Sequence, residues 1–336
     1  MRARCATLVV PALVVAGCDT VQSVTGGDGA DSRIFNGLFG IFLAVCAVMY
    51  LLVVGFLGLA LLRRRRQGNV AETGDQNADS AGMKTALIGW AVIVTSGLAV
   101  LTVASFIADR SMANARTPKA LVIEISARQW WWDVTYRSGD AQQFLRTANE
   151  LHLPVGIPAH VVLRSSDVIH SFWIPNLAGK QDVIPGRQID AIIVPKNKGT
   201  YRGQCAEFCG TQHANMALDV MVESKEDFAR WWAAQLRPAA APTNPQAMAG
   251  YRYVTTRECS MCHNISGTPA SGRVGPDLTH IASRKSLGAG ALPMNRGNLY
   301  AWVADPQSQK PGNHMPTVGL EPQELHGVIA YLETLK

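Results

Sequence analysis

The chain has 336 residues, 48% of them hydrophobic, and a formal net charge of +6. That length predicts two or three structural units, and the apolar excess is concentrated before residue 110. Much of the positive charge is the single run Arg63 to Arg66, while charges roughly cancel between Lys119 and Arg230. No basic stripe interleaves with aromatics, so no nucleic-acid partner is expected.

Arg2 and Arg4 precede an apolar run from Leu8 to Ala16, the order of a secretory signal. The run is too short to span a bilayer comfortably. It ends in Val15-Ala16-Gly17-Cys18, which resembles the lipobox of bacterial lipoproteins. That resemblance implies a signal segment over residues 1–18 and a lipid on Cys18; an incidental or buried cysteine is the alternative.

Residues 34–62 and 85–108 each meet the requirement of about 20 apolar residues for a membrane helix. They predict a transmembrane hairpin within residues 32–110. The arginine run between them places that loop in the cytoplasm, and everything after Asp109 then faces outward. The expected location is a bacterial inner membrane, multi-pass, with contacts to lipid and with the C-terminal units on the periplasmic side.

Residues 119–230 read as strands and turns. Leu121-Val122-Ile123-Glu124-Ile125, Val161-Val162-Leu163 and Ala191-Ile192-Ile193-Val194 are β-branched and apolar, and Pro154, Pro158, Pro175 and Pro185-Gly186 punctuate them. Strands at this spacing suggest an antiparallel sandwich or barrel. Within it, Cys205-Ala206-Glu207-Phe208-Cys209-Gly210-Thr211-Gln212-His213-Ala214-Asn215-Met216 packs two thiols, an imidazole and a thioether into one loop. Soft sulfur ligands with histidine favour copper. Structural zinc, which takes four Cys or His ligands, and a Cys205–Cys209 disulfide are the competing readings.

Residues 231–248 are rich in alanine, proline and polar residues and read as a linker. Beyond them, over residues 249–336, Cys259-Ser260-Met261-Cys262-His263 has the spacing of c-type haem attachment. Two thioethers would anchor the haem, and His263 would be the proximal ligand. Met294, Met315, His280, His314 and His326 are candidates for the sixth ligand, and a Met/His pair would raise the potential. Glu321 to Leu335 reads as a closing helix, with Leu325, Val328, Ile329 and Leu332 at helical spacing.

The copper loop, together with Asp167-Val168-Ile169-His170-Ser171-Phe172-Trp173, resembles cytochrome c oxidase subunit II of the haem–copper oxidase family. The resemblance implies a membrane hairpin, a cupredoxin-like antiparallel β-sandwich holding a binuclear copper A site, and here a fused all-α cytochrome c domain. In that site Cys205 and Cys209 bridge two copper ions, and His170 and His213 bind one each. Met216 is a weak ligand to one ion and the Glu207 carbonyl a ligand to the other. The Glu207 side chain faces a magnesium shared with subunit I, which suits a hard oxygen donor. Gln129-Trp130-Trp131-Trp132 resembles the family's aromatic segment and places Trp130 at the electron entry point; on a strand, Trp130 and Trp132 would share one face. An aromatic core or membrane-interface cluster is the plainer reading.

Gly275-Pro276-Asp277-Leu278 and Lys310-Pro311-Gly312-Asn313-His314-Met315-Pro316 resemble monohaem cytochrome c domains, whose axial methionine precedes a proline. This selects Met315, with His314 its rival. One departure stands out: where many members carry a glutamate three residues before the tryptophan that opens the second helix, Trp90 is preceded at that distance by Leu87. Leu87 cannot carry a proton, and Glu72 is the substitute candidate.

The implied partners are subunit I and further oxidase subunits, with cytochrome c or a cytochrome bc complex as electron donor. The implied activity is that of cytochrome-c oxidase, with oxygen chemistry and proton translocation in subunit I. A stand-alone electron-shuttling lipoprotein is the alternative. A nitrous oxide reductase would need a histidine-rich cluster domain, and a quinol oxidase subunit would lack the copper ligands.

Overall fold

The computed structural model describes residues 21–67, 76–113, 121–137 and 144–336. Cys18 with its signal-like segment, and Glu72, lie outside the described residues. Helices α1 (Ala30–Gln67) and α2 (Gln76–Ala113) come first. Within them Ala30–Arg66 and Gly82–Met112 are long and apolar enough to cross a membrane. Phe56, Leu57, Ile88 and Phe106 project outward uncovered, an arrangement that suits lipid and not water. Arg64 to Arg66 occupy the last turn of α1, where cations favour the negative end of the helix dipole. That helps α1 run past the apolar stretch expected from sequence.

The strands that follow are β1 (Leu121–Arg128), β2 (Trp131–Arg137), β3 (Phe144–Ala148), β4 (Glu150–Pro154), β5 (Ala159–Ser165), β6 (His170–Ile174), β7 (Ala178–Val183), β8 (Ile189–Ile193), β9 (Gly199–Gln204) and β10 (Ala217–Glu223). One sheet has the order β3-β2-β1-β5-β8 and a second the order β4-β10-β9, while β6 and β7 form a separate pair. Alternate residues of β1, namely Ile123, Ile125 and Ala127, turn inward, as a period of two requires. They meet Leu151, Leu153 and Val220 from the facing sheet in one core. Two pairs, β1 with β5 and β4 with β10, run parallel; the others are antiparallel. Parallel neighbours need long crossovers, which local turn signals do not encode.

Helix α3 (Lys225–Gln235) is capped by Ser224, whose hydroxyl accepts the Asp227 amide. Its Trp231 stacks on His152 at 4.0 Å between ring centroids and meets Tyr136 edge-on. The first part of the stretch read as linker is therefore the last turn of a helix that closes the sandwich. Aromatic burial, invisible in a composition rich in alanine, holds it there.

The C-terminal unit comprises α4 (Pro245–Thr256), α5 (Glu258–Cys262), short strands β11 (Ser286–Leu287) and β12 (Leu292–Pro293), α6 (Arg296–Ala304), α7 (Pro306–Gln309) and α8 (Pro322–Leu332). Helix α8 starts with a capping box between Glu321 and Glu324. It crosses α4 so closely that a Cβ on Gly250 would lie 1.9 Å from the Gly327 carbonyl oxygen. This unit docks on the sandwich: Ala217 N donates to Ala289 O at 2.9 Å, and Lys285 Nζ to Thr200 Oγ1 at 3.0 Å.

Gly250→Ala must push α4 and α8 apart, and overpacking of this kind costs about 1–3 kcal/mol. Calorimetry should show the transition of the C-terminal unit lowered while that of the sandwich stays in place. Equal lowering of both would contradict the local origin of the effect.

Candidate functional site

The loop from β9 to β10 is drawn tight by Cys205 N donating to Met216 O at 2.9 Å, and it is tied to β6 by Ala206 N donating to Ser171 O at 3.0 Å. These bonds bring together side chains that are far apart in sequence. Cys205 Sγ lies 3.8 Å from Cys209 Sγ and 3.9 Å from His170 Nδ1. Cys209 Sγ lies 3.6 Å from His213 Nδ1 and 3.9 Å from Met216 Sδ. The Glu207 carbonyl oxygen is 3.3 Å from Cys205 Sγ. The donor atoms of His170, Cys205 and Cys209 all fall within 4.8 Å of one another and are buried. The six donors expected from sequence form one chain of contacts, with His170 and the Glu207 carbonyl against Cys205, and His213 and Met216 against Cys209.

Both thiols are free, which removes the disulfide reading. The Cys205 thiol is drawn well down, chiefly by its hydrogen bond with Cys209. The same pairing, reinforced by burial, pushes Cys209 up. A thiolate facing imidazole, thioether and carbonyl oxygen is a donor set that fits copper. A buried methionine inside the cluster does not fit structural zinc.

Asp167 organises this cluster, a role its sequence context did not reveal. Its carboxylate accepts from His170 Nε2 at 2.8 Å, Gln129 N at 2.6 Å and Val168 N at 2.7 Å. Burial opposes its ionisation, but these hydrogen bonds outweigh burial and hold its carboxyl below the usual range. With Nε2 engaged, His170 presents Nδ1 to the sulfurs.

A cavity of about 600 Å³ lies between the sandwich and the C-terminal unit. Cys259, Cys262, His263 and Met315 line it from one side, and Arg128, Gln129 and Trp130 from the other. His263 Nδ1 donates to Pro276 O at 2.7 Å, leaving Nε2 for a metal. Burial pushes its pKa down, which keeps the ring neutral as a ligand must be. A Cβ on Gly275 would lie 2.6 Å from His263 Cε1, so only glycine lets the ring rest against the backbone there. The guanidinium Nε atoms of Arg128 and Arg284 are buried without a hydrogen-bond partner, and both residues line the cavity. Each Nε lies 3.9 Å from a carboxylate, that of Asp133 for Arg128 and of Glu150 for Arg284. Two guanidiniums in the crevice wall suit the two carboxylates that a haem carries, so the crevice fits the group its Cys-x-x-Cys-His motif implies.

Of the sixth-ligand candidates, Met315 and His314 line the crevice. His280 is spent on backbone carbonyls, with Nδ1 at 2.9 Å from Lys336 O and Nε2 at 3.1 Å from Gln235 O. Met294 packs into the C-terminal core, and His326 lies against Tyr300.

Trp130 belongs to both sites. Its indole Nε1 donates to Cys209 O at 2.9 Å, and its ring lies 6.1 Å from that of His314. Gly210, at φ +116°, leaves room for it: a Cβ there would lie 2.9 Å from Trp130 Cζ2. The expectation that Trp130 and Trp132 share a strand face is corrected, because the chain turns at Gln129 and Trp130 before β2 begins. Trp130 covers Cys209, whereas Trp132 packs against His170 and Phe172. Arg128 and Arg284 carried no local sequence signal, since only the fold brings them to the crevice.

Comparison with known proteins gives the family. The family described as "Cytochrome C oxidase subunit II, periplasmic domain" matches residues 137–224, and that described as "Cytochrome c" matches residues 247–336. Cytochrome c oxidase subunit 2 of Bacillus sp. (strain PS3) is 30% identical over 293 residues, covering 81% of this chain and 80% of that protein. The subunit 2 of Alkalihalophilus pseudofirmus is 28% identical over 332 residues, covering 96% and 94%. Among solved structures, the periplasmic domain of subunit II of cytochrome oxidase of Bradyrhizobium japonicum is 30% identical, with a TM-score of 0.33 over 36% of this chain and 96% of that one. A converging set of soft donors, a Cys-x-x-Cys-His crevice and similarity over most of the chain together place it: the chain belongs to the cytochrome c oxidase subunit 2 family, as a member carrying a cytochrome c domain.

Proposed function

We propose that the chain is the electron-entry subunit of a terminal oxidase. In that role it would accept electrons from a cytochrome c or cytochrome bc complex and deliver them to subunit I, where oxygen reduction is coupled to proton translocation. The redox groups it would hold are a haem c and a binuclear copper A centre. The observation that carries this reading is Trp130, which lines the haem crevice while bonded to the Cys209 carbonyl. When bound, the haem and the copper pair supply one-electron redox chemistry.

The chain's own residues hold and shield those groups. Cys259 and Cys262 would attach the haem, and His263 and Met315 would hold its iron. Cys205, Cys209, His170 and His213, with Met216 and the Glu207 carbonyl, would hold the copper pair. The Glu207 side chain is left for a magnesium at the boundary with subunit I. The Pro276 carbonyl and the Asp167 carboxylate each fix one imidazole, and such outer partners orient ligands and tune their basicity. Trp130 is the conduit between the two sites and takes its electron from the fused unit, because in this chain it is buried beneath that unit. Helices α1 and α2 form a hairpin in a bacterial inner membrane that leaves both redox units on the periplasmic side, with Cys18 lipidated. Leu87 is exposed on α2 and apolar, so proton uptake starts elsewhere, with Glu72 the candidate.

Asp167→Asn keeps the shape of the side chain but weakens its hold on His170. Copper affinity should fall about 10- to 100-fold, read by copper content and by the near-infrared band of the mixed-valence pair after competition with a chelator. Wild-type retention of copper would show that Asp167 does not orient the ligand.

Single-site variants test the two-centre reading. Cys209→Ser should abolish the near-infrared band and leave the haem spectrum, whereas His263→Ala should do the reverse. Met315→Ala should remove the weak charge-transfer band of methionine–haem coordination. An exported chain with haem iron but no copper by elemental analysis would overturn the proposal.

A further inference from the structure

Lys310 is a buried lysine in the wall of the crevice, outside the ligand sets named above. Its side chain is 2% exposed. Its ammonium donates to three backbone carbonyls: Trp130 O at 2.8 Å, Asn215 O at 2.7 Å and Gly288 O at 2.7 Å. A lysine ammonium has three hydrogens, and here each has one acceptor. Burying such a charge is costly unless it is fully hydrogen-bonded, so a position of this kind ties its acceptors together strongly. Two of the carbonyls belong to the sandwich, one beside the conduit tryptophan and one inside the copper loop. The third, with Lys310 itself, belongs to the C-terminal unit. The next residue continues the join: Gln212 Nε2, from the copper loop, donates to Pro311 O at 2.8 Å.

The same segment leads directly to Met315 and is stiff along its length. Asn313 Nδ2 donates to Pro306 O and Lys310 O, at 2.8 and 2.7 Å, and its Oδ1 accepts Met315 N at 2.8 Å. Gln307 Nε2 donates to Asn313 O and Met315 O, both at 2.8 Å. An unbroken run of hydrogen bonds thus links the copper loop, through Lys310 and Pro311, to the backbone of the haem ligand.

We propose that Lys310, with the Gln212–Pro311 bond beside it, is a latch that fixes the haem-bearing unit against the copper loop and so sets the spacing and orientation of the two redox centres. Lys310 is a positioning residue: its ammonium bonds backbone carbonyls, and it acts through Trp130 and the Met315 loop. The inference rests on the electron-transfer reading above. It adds that transfer from haem to copper proceeds from one docked arrangement and not from a tethered domain searching for its partner.

The test uses the full-length chain carrying both centres. Lys310→Met keeps the volume and removes the three donors. Its haem spectrum and near-infrared copper band should persist. After flash reduction of the haem, the rate of electron transfer to copper should fall by about tenfold or more, since small misplacements of reacting groups carry penalties of that size. The haem–copper distance distribution from pulsed paramagnetic resonance should broaden. Unchanged rate and unchanged distances in a spectrally intact variant overturn the latch. If Lys310→Met fails to take up haem, Gln212→Ala, which opens the adjacent bond, should show the same slowing to a smaller degree; an unaltered rate there also overturns the latch. Absence of either chromophore from the unaltered chain would count against the electron-transfer reading instead.

Discussion

The hydrogen bond from the Trp130 indole to the Cys209 carbonyl is the constraint around which the rest is arranged. One side of that ring covers a loop dense with sulfur and imidazole, while the residue also forms part of the haem crevice wall. For the ring to lie there, the β1–β2 connection must turn at Gln129 and Trp130, and Gly210 must lack a side chain. The Lys310 segment must in turn close over Trp130 from the other unit. The two sites are not independent modules placed near each other, because one tryptophan and its backbone belong to the shell of both.

The seam between the units is polar. Arg146 forms a bidentate pair with Asp133 at 2.8 and 2.7 Å, and its Nη2 also reaches Arg273 O at 3.3 Å. Arg284 donates to Asp277 O at 2.5 Å and is buried near Glu150. Apolar surfaces could slide over each other at small cost. Paired charges and oriented carbonyls penalise any shift, because a displaced buried group is left unsatisfied. A seam of this composition favours one geometry over tightness of association, which is what transfer between two fixed centres demands.

What could be read from the sequence was whatever is local along the chain. The copper loop supplies five of its donors between Cys205 and Met216, and the haem motif fits within Cys259 to His263, so ligand chemistry declares itself in spacing. Three strands, β1, β5 and β8, were likewise visible from their β-branched runs, and the closing helix from its periodicity. The parallel pairs β1–β5 and β4–β10 were not, since they depend on crossovers of the chain. Nor were the partners that reach a site from far away. Lys310 bonds to residues 180 and 95 positions distant, and Arg284 reaches the crevice only once the unit has folded. Asp167 is an intermediate case: it is three residues from its histidine, yet an acidic residue in a loop carries no mark of its function until its partners are in place.

The two units differ entirely in fold but treat their histidines alike. In each, the ring nitrogen not offered to a metal is occupied by a short hydrogen bond, from His170 to Asp167 at 2.8 Å and from His263 to Pro276 O at 2.7 Å. The acceptors differ in charge. A carboxylate pulls on the imidazole proton more strongly than a neutral carbonyl and makes the opposite nitrogen a stronger donor. As ligands, His170 would be the more electron-rich, beside the Cys205 thiolate, and His263 the less electron-rich. Greater donation stabilises an oxidised centre, and weaker donation with a thioether opposite favours a reduced one. With copper and haem bound, the partners of these two imidazoles would bear on the potentials of both groups, while the polar seam joins the two units that would hold them.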